Sequence, residues 1–212
     1  MGELSDAVAI TQDRRRGAGV AVQIKVKLRG VSKPPVWRRL QLDAETPLDR
    51  LHEAILAAFG WAGYHMHVFR SGAEEFGVPD PELGFIDERR VSLGERIGGV
   101  GDRLLYTYDF GDDWEHEITV EELLDADPEV HYPVLVAAKG ACPPEDCGGP
   151  WGYAELKEIL ADSTHEQHQE MLDWLGLDDA SAFDPGGFDA DEIKRRLPSA
   201  GLAADRQSGE TR

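Results

Sequence analysis

The first part of the chain alternates apolar and polar residues in a way that predicts a strand. From residue 20 onward every second position is apolar, at Val20, Val22, Ile24, Val26 and Leu28. A period of two is typical of a strand with one buried face. A turn over residues 30–35 and the stretch VWRRLQL follow, so we expect an antiparallel hairpin.

The next segment changes to the period of an amphipathic helix. Thr46 followed by Pro47 is a typical helix start, because threonine caps free amides and proline fits the first turn. Apolar residues then recur at helical spacing, at Leu48, Leu51, Ile55 and Phe59. Gly60 ends the predicted helix.

The middle of the chain predicts more strands, and the last third predicts helices. YHMHVFR (64–70), the stretches 102–111 and 114–123, and residues 130–140 have strand patterns, and Gly-Asp-Asp at 111–113 is a hairpin turn. Helical patterns follow in YAELKEILA, THEQHQEMLDWLG and DADEIKRRL. Strands first and helices last predict an α+β fold: a mostly antiparallel sheet, with a helix after the first hairpin and C-terminal helices packed on it.

The two ends of the chain lack this periodicity. We expect residues 1–18 to form a disordered arm and residues 199–212 a disordered tail. The 212-residue chain is long enough for one hydrophobic core. Residues 19–198 are therefore predicted to form a single domain.

Composition and the cysteine count indicate the class of the protein and its cellular compartment. Its 41% hydrophobic and 30% charged residues are typical of a soluble globular protein. No apolar run approaches the roughly 18 residues that a membrane span needs, and MGELSDAVAI lacks the features of a secretory signal. We expect a cytoplasmic protein without membrane association, whose two cysteines are free thiols.

The net charge of −19 is unevenly distributed. Residues 1–40 contain nine Lys and Arg against three acids, a net of +6, which leaves −25 for the rest. Because nucleic-acid affinity comes largely from basic residues, direct nucleic-acid binding by the main domain is disfavoured. A protein partner is one alternative, and competition with nucleic acid for a basic partner is another.

Metal-ligating residue types occur in separate segments. His65 and His67 lie two residues apart on a predicted strand, so both rings could face one site. With His116, Cys142 and Cys147 they could provide the four ligands that zinc prefers, which makes zinc the candidate cofactor. The spacing differs from C-x2-4-C, and the alternative is hydrogen-bonded histidines and packed thiols.

The segment DFGDDWEH offers candidate catalytic groups. Asp109 and His116 lie on opposite arms of the predicted hairpin, where an acid could orient an imidazole, and Asp113 is a third candidate. The aspartates at the tip could alternatively only form the turn. Trp114 and Trp151 lie in polar loops and are candidate pocket aromatics, with a core or loop-anchoring role as the alternative.

Two motifs together resemble a known family. DFGDDWEH and CPPEDCGGPWGY, with IKVKLRGVSKPPVWRRL and LHEAILAAFGW, are similar to plasmid pRiA4b ORF-3-like proteins over roughly residues 20–197. The resemblance implies an α+β domain without an established activity. Some members of the family are labelled TnpR-like resolvases or passengers of insertion elements, so it also implies an association with mobile elements.

Resolvase activity is disfavoured by the residues themselves. A serine resolvase needs a nucleophilic serine among arginines, and no serine here has that setting. Residues 141–212 contain sixteen acids and six bases, the reverse of a basic DNA-binding region. Nucleotide-binding and nucleophile-elbow motifs are also missing from the sequence.

We therefore expect a binding or interaction domain rather than an enzyme. Its polar pocket would form from segments 64–67, 109–116 and 142–153. A metal-dependent hydrolase or nuclease-like enzyme that uses the same pocket is the alternative.

Overall fold

An eight-stranded, mostly antiparallel sheet forms the centre of the protein. The computed structural model describes residues 19–200, so the predicted arm 1–18 and the predicted tail beyond residue 200 lie outside the described residues. The strands are β1 (Val20–Ser32), β2 (Pro35–Asp43), β3 (His67–Ser71), β4 (Glu74–Gly77), β5 (Ile86–Asp87), β6 (Arg103–Tyr108), β7 (Trp114–Asp125) and β8 (Val134–Lys139). Their order is β5-β4-β3-β6-β7-β1-β2-β8, and β4–β5 is the parallel pair among them.

Five helices accompany the sheet in the described part of the chain. They are α1 (Leu48–Phe59), α2 (Leu93–Arg96), α3 (Gly149–Ala161), α4 (His168–Leu175) and α5 (Ala190–Ala200). α1 follows the first hairpin, and α5 packs on α1 and on β8. The predicted α+β class is confirmed. Within residues 19–200, none of these helices has the length and apolar character needed to cross a membrane.

The β1–β2 hairpin forms where the alternation of apolar residues predicts it. Val22, Ile24, Val26 and Leu28 are fully buried, while their polar neighbours lie on the other face of the sheet. β1 is central and pairs with β2 on one side and β7 on the other. Burial of this row explains the alternation in the sequence, because side chains of a strand alternate between its two faces.

α1 buries the face that its sequence predicts. Its apolar residues Leu48, Leu51 and Phe59 lie in the core, and it ends at Gly60, which has a left-handed backbone (φ 91°). The predicted cap by Thr46 is wrong. Pro47 occupies the capping position, and the Thr46 carbonyl instead accepts a hydrogen bond from the Leu93 amide (2.8 Å).

Arg38 is a charged residue inside the apolar core. Its Nε donates to the Ala58 carbonyl (2.8 Å), and one terminal nitrogen donates to the carbonyls of Trp37 (2.9 Å) and Lys139 (3.1 Å). Burial lowers the pKa of its guanidinium from the usual value. Because these bonds join β2 to the end of α1 and to β8, they fix the position of the loop that follows α1.

Two predicted elements begin later than the sequence suggested. The strand predicted from residue 64 begins at His67, which leaves His65 in a loop. The helix predicted from Thr164 begins at His168, and Thr164 instead donates to Asp162 (2.7 Å) in the preceding turn. Local hydrogen bonds of this kind compete with the helix at its start.

Candidate functional site

Three loops meet at one end of the sheet. The 60–66 loop connects α1 to β3, the 109–113 turn connects β6 to β7, and the 140–148 loop connects β8 to α3. These loops contain parts of the three polar segments that the sequence singled out. Hydrogen bonds and close backbone contacts join them.

Glu145 connects the 140–148 loop to the end of β6 and to the 60–66 loop by hydrogen bonds. One carboxylate oxygen accepts from the Tyr108 hydroxyl (2.6 Å), and the other accepts from the Ala62 amide (2.8 Å). Trp61 adds a third link, since its Nε1 donates to the Pro143 carbonyl (3.0 Å). Burial and the nearby Glu145 carboxylate raise the pKa of Tyr108, so its hydroxyl remains a donor near neutral pH.

The 109–113 turn and the start of α3 are also in close contact. The Gly148 amide donates to Asp112 Oδ2 (3.1 Å). A side chain at Gly149, which has φ 67°, would overlap the Asp112 carbonyl, and one at Gly152 would overlap the Cys147 carbonyl. These two contacts explain the glycines that follow the second cysteine: a Cβ at Gly149 would separate α3 from the 109–113 turn, and one at Gly152 would disrupt the entry into α3.

His65, Asp109 and Asp146 form the polar centre of this region, one residue from each loop. His65 Nδ1 lies 3.6 Å from Asp109 Oδ2, and His65 Nε2 lies 3.2 Å from Asp146 Oδ1. One ligand atom from each residue lies within 4.8 Å of the other two. We call this set the HDD cluster. It is the one group of three or more His, Cys, Asp or Glu side chains with such spacing among residues 19–200.

The local backbone orients both aspartates of the HDD cluster. Asp109 (φ 58°) and Asp146 (φ 59°) have left-handed conformations, which aspartate tolerates better than most residues. Asp109 Oδ1 accepts from the amides of Gly111 (2.9 Å) and Asp112 (3.3 Å), which leaves Oδ2 directed at His65. Asp109 is buried and Asp146 is exposed, so the cluster is open to solvent on the side of Asp146.

Large apolar side chains are exposed next to the HDD cluster. Tyr64 is 87% exposed, Met66 49% and Phe110 44%. Tyr64 and Met66 flank His65 in the chain, and Phe110 follows Asp109, whose amide donates to the Met66 carbonyl (2.9 Å). Exposed aromatic and methionine side chains around a polar centre are typical of binding surfaces.

His67 has partners different from those of His65. Its Nε2 lies 2.8 Å from Glu88 Oε2, and its ring stacks on His52 at a centroid distance of 3.5 Å. His52 Nδ1 lies 2.7 Å from the Tyr106 hydroxyl, and burial lowers the pKa of His52 to about 2. The expectation that both imidazoles face one site is therefore not met, because His67 begins a buried strand while His65 precedes it.

His116 lies in the core and does not pair with Asp109. Neither of its ring nitrogens has a hydrogen-bond partner, and its ring packs edge-on against Phe59 and Trp61. Burial lowers the pKa of His116 to about 3, and the nearby backbone of Trp114 and Tyr106, which does not reach hydrogen-bonding geometry with the ring, offsets this only in part. The predicted acid–imidazole pair does not form, because His116 is on the inward face of β7 and Asp109 turns toward His65.

The two cysteines are free thiols that lie outside the HDD cluster. Burial raises the pKa of Cys142 well above its usual value, despite the nearby Arg38 guanidinium. Burial also raises the pKa of Cys147 to about 12, with help from the Asp112 carboxylate. The structure does not assemble the predicted set of cysteines and histidines, since His67 and His116 are directed into the core.

The two candidate pocket tryptophans have opposite environments. Trp114 is fully buried, with its Nε1 unpaired in the core. Trp151 is 88% exposed, and it lines a cleft of about 570 Å³ together with Arg29, Asp112, Asp113 and Glu115. Trp151 is therefore the pocket-lining member of the pair, and it does not anchor its loop. The candidate Asp113 lies in this cleft and not in the HDD cluster.

Asp146 and Glu145 were not predicted as site residues. Both lie between the cysteines in CPPEDC, where the cysteines are the more characteristic metal-ligand type. A detectable signal was an acidic pair inside a tight Pro- and Gly-bounded loop, since such loops project polar side chains. His52 and Glu88, which both contact His67, had no comparable signal, because neither residue occurs in a motif.

Comparisons with known proteins identify a family and two similar proteins, and they name no activity. A family model described as "Plasmid pRiA4b ORF-3-like protein" matches residues 20–192. The uncharacterized protein y4hQ of Sinorhizobium fredii (strain NBRC 101917 / NGR234) is 47% identical over 161 residues, which cover 74% of this chain and 82% of y4hQ. The crystal structure of MM3350, a protein of unknown function from Methanosarcina mazei Go1, has a TM-score of 0.73 and 33% identity, and the match covers 82% of this chain and 98% of MM3350.

Proposed function

The chain belongs to the plasmid pRiA4b ORF-3-like family, and within that family we propose that it is a binding domain whose ligand surface surrounds the HDD cluster. The single observation that supports this function best is the position of His65 between carboxylates from two other loops. Segments distant in the sequence are thus held together by polar contacts at a solvent-open position.

The exposed apolar side chains next to the HDD cluster indicate what kind of ligand this surface would bind. Tyr64, Met66 and Phe110 would be desolvated by a partner, and residues of these types are enriched in the buried centres of protein interfaces. The polar centre would give such a partner orientation and specificity. We infer a protein or peptide partner, which the domain would meet in the cytoplasm, where its free thiols remain reduced.

Site-specific photocrosslinking of the full chain tests this function. Benzophenone-alanine replaces Phe110 in one variant, and Leu83 in a control, since these residues are 44% and 43% exposed. The expected result is a discrete adduct from position 110 in cells, with none from position 83. Intact mass would identify the adduct as a protein, a peptide or a small molecule.

A second variant makes the crosslinking test specific to the polar centre. Asp146→Asn keeps the size of an exposed side chain and removes its charge, so it should weaken the adduct from position 110. The same adduct pattern from positions 110 and 83 would contradict the proposed surface. An adduct that Asp146→Asn leaves unchanged would show that the HDD cluster is not its centre.

A metal-dependent hydrolase or nuclease-like enzyme is the second candidate function. It is favoured by the donor set, because an imidazole and two carboxylates can hold a cation and leave positions for water. Hydrolysis of bis-(p-nitrophenyl) phosphate by the purified chain with Zn²⁺ or Mn²⁺ tests it. The rate should fall in the Asp109→Asn variant. An equal rate in both proteins would assign the activity to a contaminant.

A further inference from the structure

The donor types in the HDD cluster suit a divalent transition cation. Imidazole nitrogen and carboxylate oxygen are both common zinc ligands, and neither requires the deprotonation of a thiol. Two carboxylates and one neutral imidazole would balance the charge of a divalent ion. The cluster is also distinct from the set of cysteines and histidines that the sequence suggested, with which it shares only His65.

The spacing within the cluster is close to that of a coordination site. Zinc bonds of about 2.0–2.2 Å place the ligands of a tetrahedral ion about 3.3–3.6 Å apart. The His65 contacts of 3.2 and 3.6 Å are made by opposite nitrogens of the ring, so only one of them can be a ligand–ligand distance around a single ion. A single nitrogen must serve the ion, and the three ligand atoms then lie within 4.8 Å of one another. To reach tetrahedral spacing, the ligand atoms would have to approach one another by about 1 Å. A change of side-chain rotamer at the exposed Asp146 can provide this shift.

The structure divides the cluster into a fixed part and an adjustable part. Asp109 is buried and its Oδ1 is held by the Gly111 and Asp112 amides, so its Oδ2 has a defined direction. Asp146 is exposed, and its side chain can follow the ion. The 140–148 loop that presents Asp146 is held by Glu145. When one ligand is already oriented and the loop of another is held in place, less conformational entropy is lost on metal binding.

We propose that His65, Asp109 and Asp146 bind one divalent transition cation of the zinc class. This inference rests on the proposed function, because it names an ion at the centre of the same surface. Tyr64, Met66 and Phe110, which are chain neighbours of His65 and Asp109, are exposed. Three protein ligands leave at least one coordination position for a further ligand. A carboxylate or another Lewis base of the partner could take that position.

Calorimetric titration of the metal-stripped full chain with Zn²⁺ tests the proposal. One equivalent should bind with micromolar or tighter affinity, and Mg²⁺ should compete poorly because it rarely accepts imidazole. Asp109→Asn and Asp146→Asn should each weaken zinc binding by at least about tenfold. Asparagine tolerates the left-handed backbone at both positions, so the folds of these variants should be preserved.

The chain provides two matched controls. Asp113 has a similar left-handed backbone (φ 55°) but lies outside the cluster, so Asp113→Asn should bind zinc as the native chain does. The double variant Cys142→Ser/Cys147→Ser should also retain the site, and its cobalt derivative should have the same spectrum as the native one. Loss of binding in the cysteine variant, or equal affinity in Asp146→Asn, would overturn the assignment.

The outcomes separate this inference from the proposed function. If no zinc binds while the crosslink from position 110 persists, the metal assignment is wrong and the binding surface stands. If zinc binds as expected but no adduct forms, the site holds a metal and the partner surface is wrong. Circular dichroism of each variant distinguishes a lost ligand from a lost fold.

Discussion

His116 provides a quantitative test of how the sheet packs on α1. The residue is fully buried, its two ring nitrogens have no hydrogen-bond partner, and aromatic rings of Phe59, Trp61 and Tyr106 surround it. Phenylalanine has a similar shape and no polar atoms. The variant His116→Phe should therefore fold normally, and it should be as stable as the native chain or about 1 kcal/mol more stable at pH 7.5.

The pH dependence gives the stronger prediction. Burial lowers the pKa of His116 from 6.5 to about 3, so between these values the unfolded chain binds a proton that the folded chain does not. Stability must then decrease as the pH falls below 6.5. One such histidine costs the folded state about 2 kcal/mol at pH 5 relative to neutral pH.

Urea denaturation, followed by tryptophan fluorescence at pH 7.5 and pH 5.0, measures this effect. The native chain should lose about 2 kcal/mol more unfolding free energy than His116→Phe over that interval, because all other titrating groups are common to both. His131→Gln is the control, since His131 is exposed and its replacement leaves the buried imidazole in place. Equal losses in the native chain and His116→Phe would refute the burial of a neutral imidazole at this position.

Two further predictions concern the contacts that shape and position the 140–148 loop. Gly152→Ala should destabilise the fold by about 2 kcal/mol or more, because the new methyl group would overlap the Cys147 carbonyl. Gly84→Ala is its control in thermal denaturation: the added methyl group meets no atom within 4 Å, so only backbone strain of about 1 kcal/mol remains. Tyr108→Phe should cost about 1–2 kcal/mol, since Glu145 would lose its hydroxyl donor and keep only the Ala62 amide. Unchanged urea midpoints for Tyr108→Phe would show that this hydrogen bond does not hold the 140–148 loop.

The class of the fold could be predicted because its signals are local. The alternation in β1, the apolar face of α1 and the Gly-Asp-Asp turn each follow from a few neighbouring residues. Strand and helix periods describe which face of an element is buried, and that information is already present in a short window of sequence. The boundaries at His67 and His168 were less predictable, since local hydrogen bonds compete at helix and strand ends.

Motifs identified the segments of the candidate site but not its members. DFGDDWEH contains Asp109, and CPPEDCGGPWGY contains Asp146, yet the sequence favoured His116 and the cysteines in those motifs. The strand alternation of β7 directs His116 into the core. Whether solvent reaches its ring depends on the packing of α1, whose Phe59 contacts it. The exposure of Trp151 likewise depends on how α3 meets the 109–113 turn.

The sequence by itself determined the elements, their faces and the family, because these depend on periodicity and on motifs along the chain. Only the tertiary structure decided which polar side chains share a site. His65, Asp109 and Asp146 come from three loops, and their contacts depend on the Glu145 hydrogen bonds and on Gly149, which lets α3 approach the turn. Such contacts join residues far apart in sequence, so no local pattern encodes them.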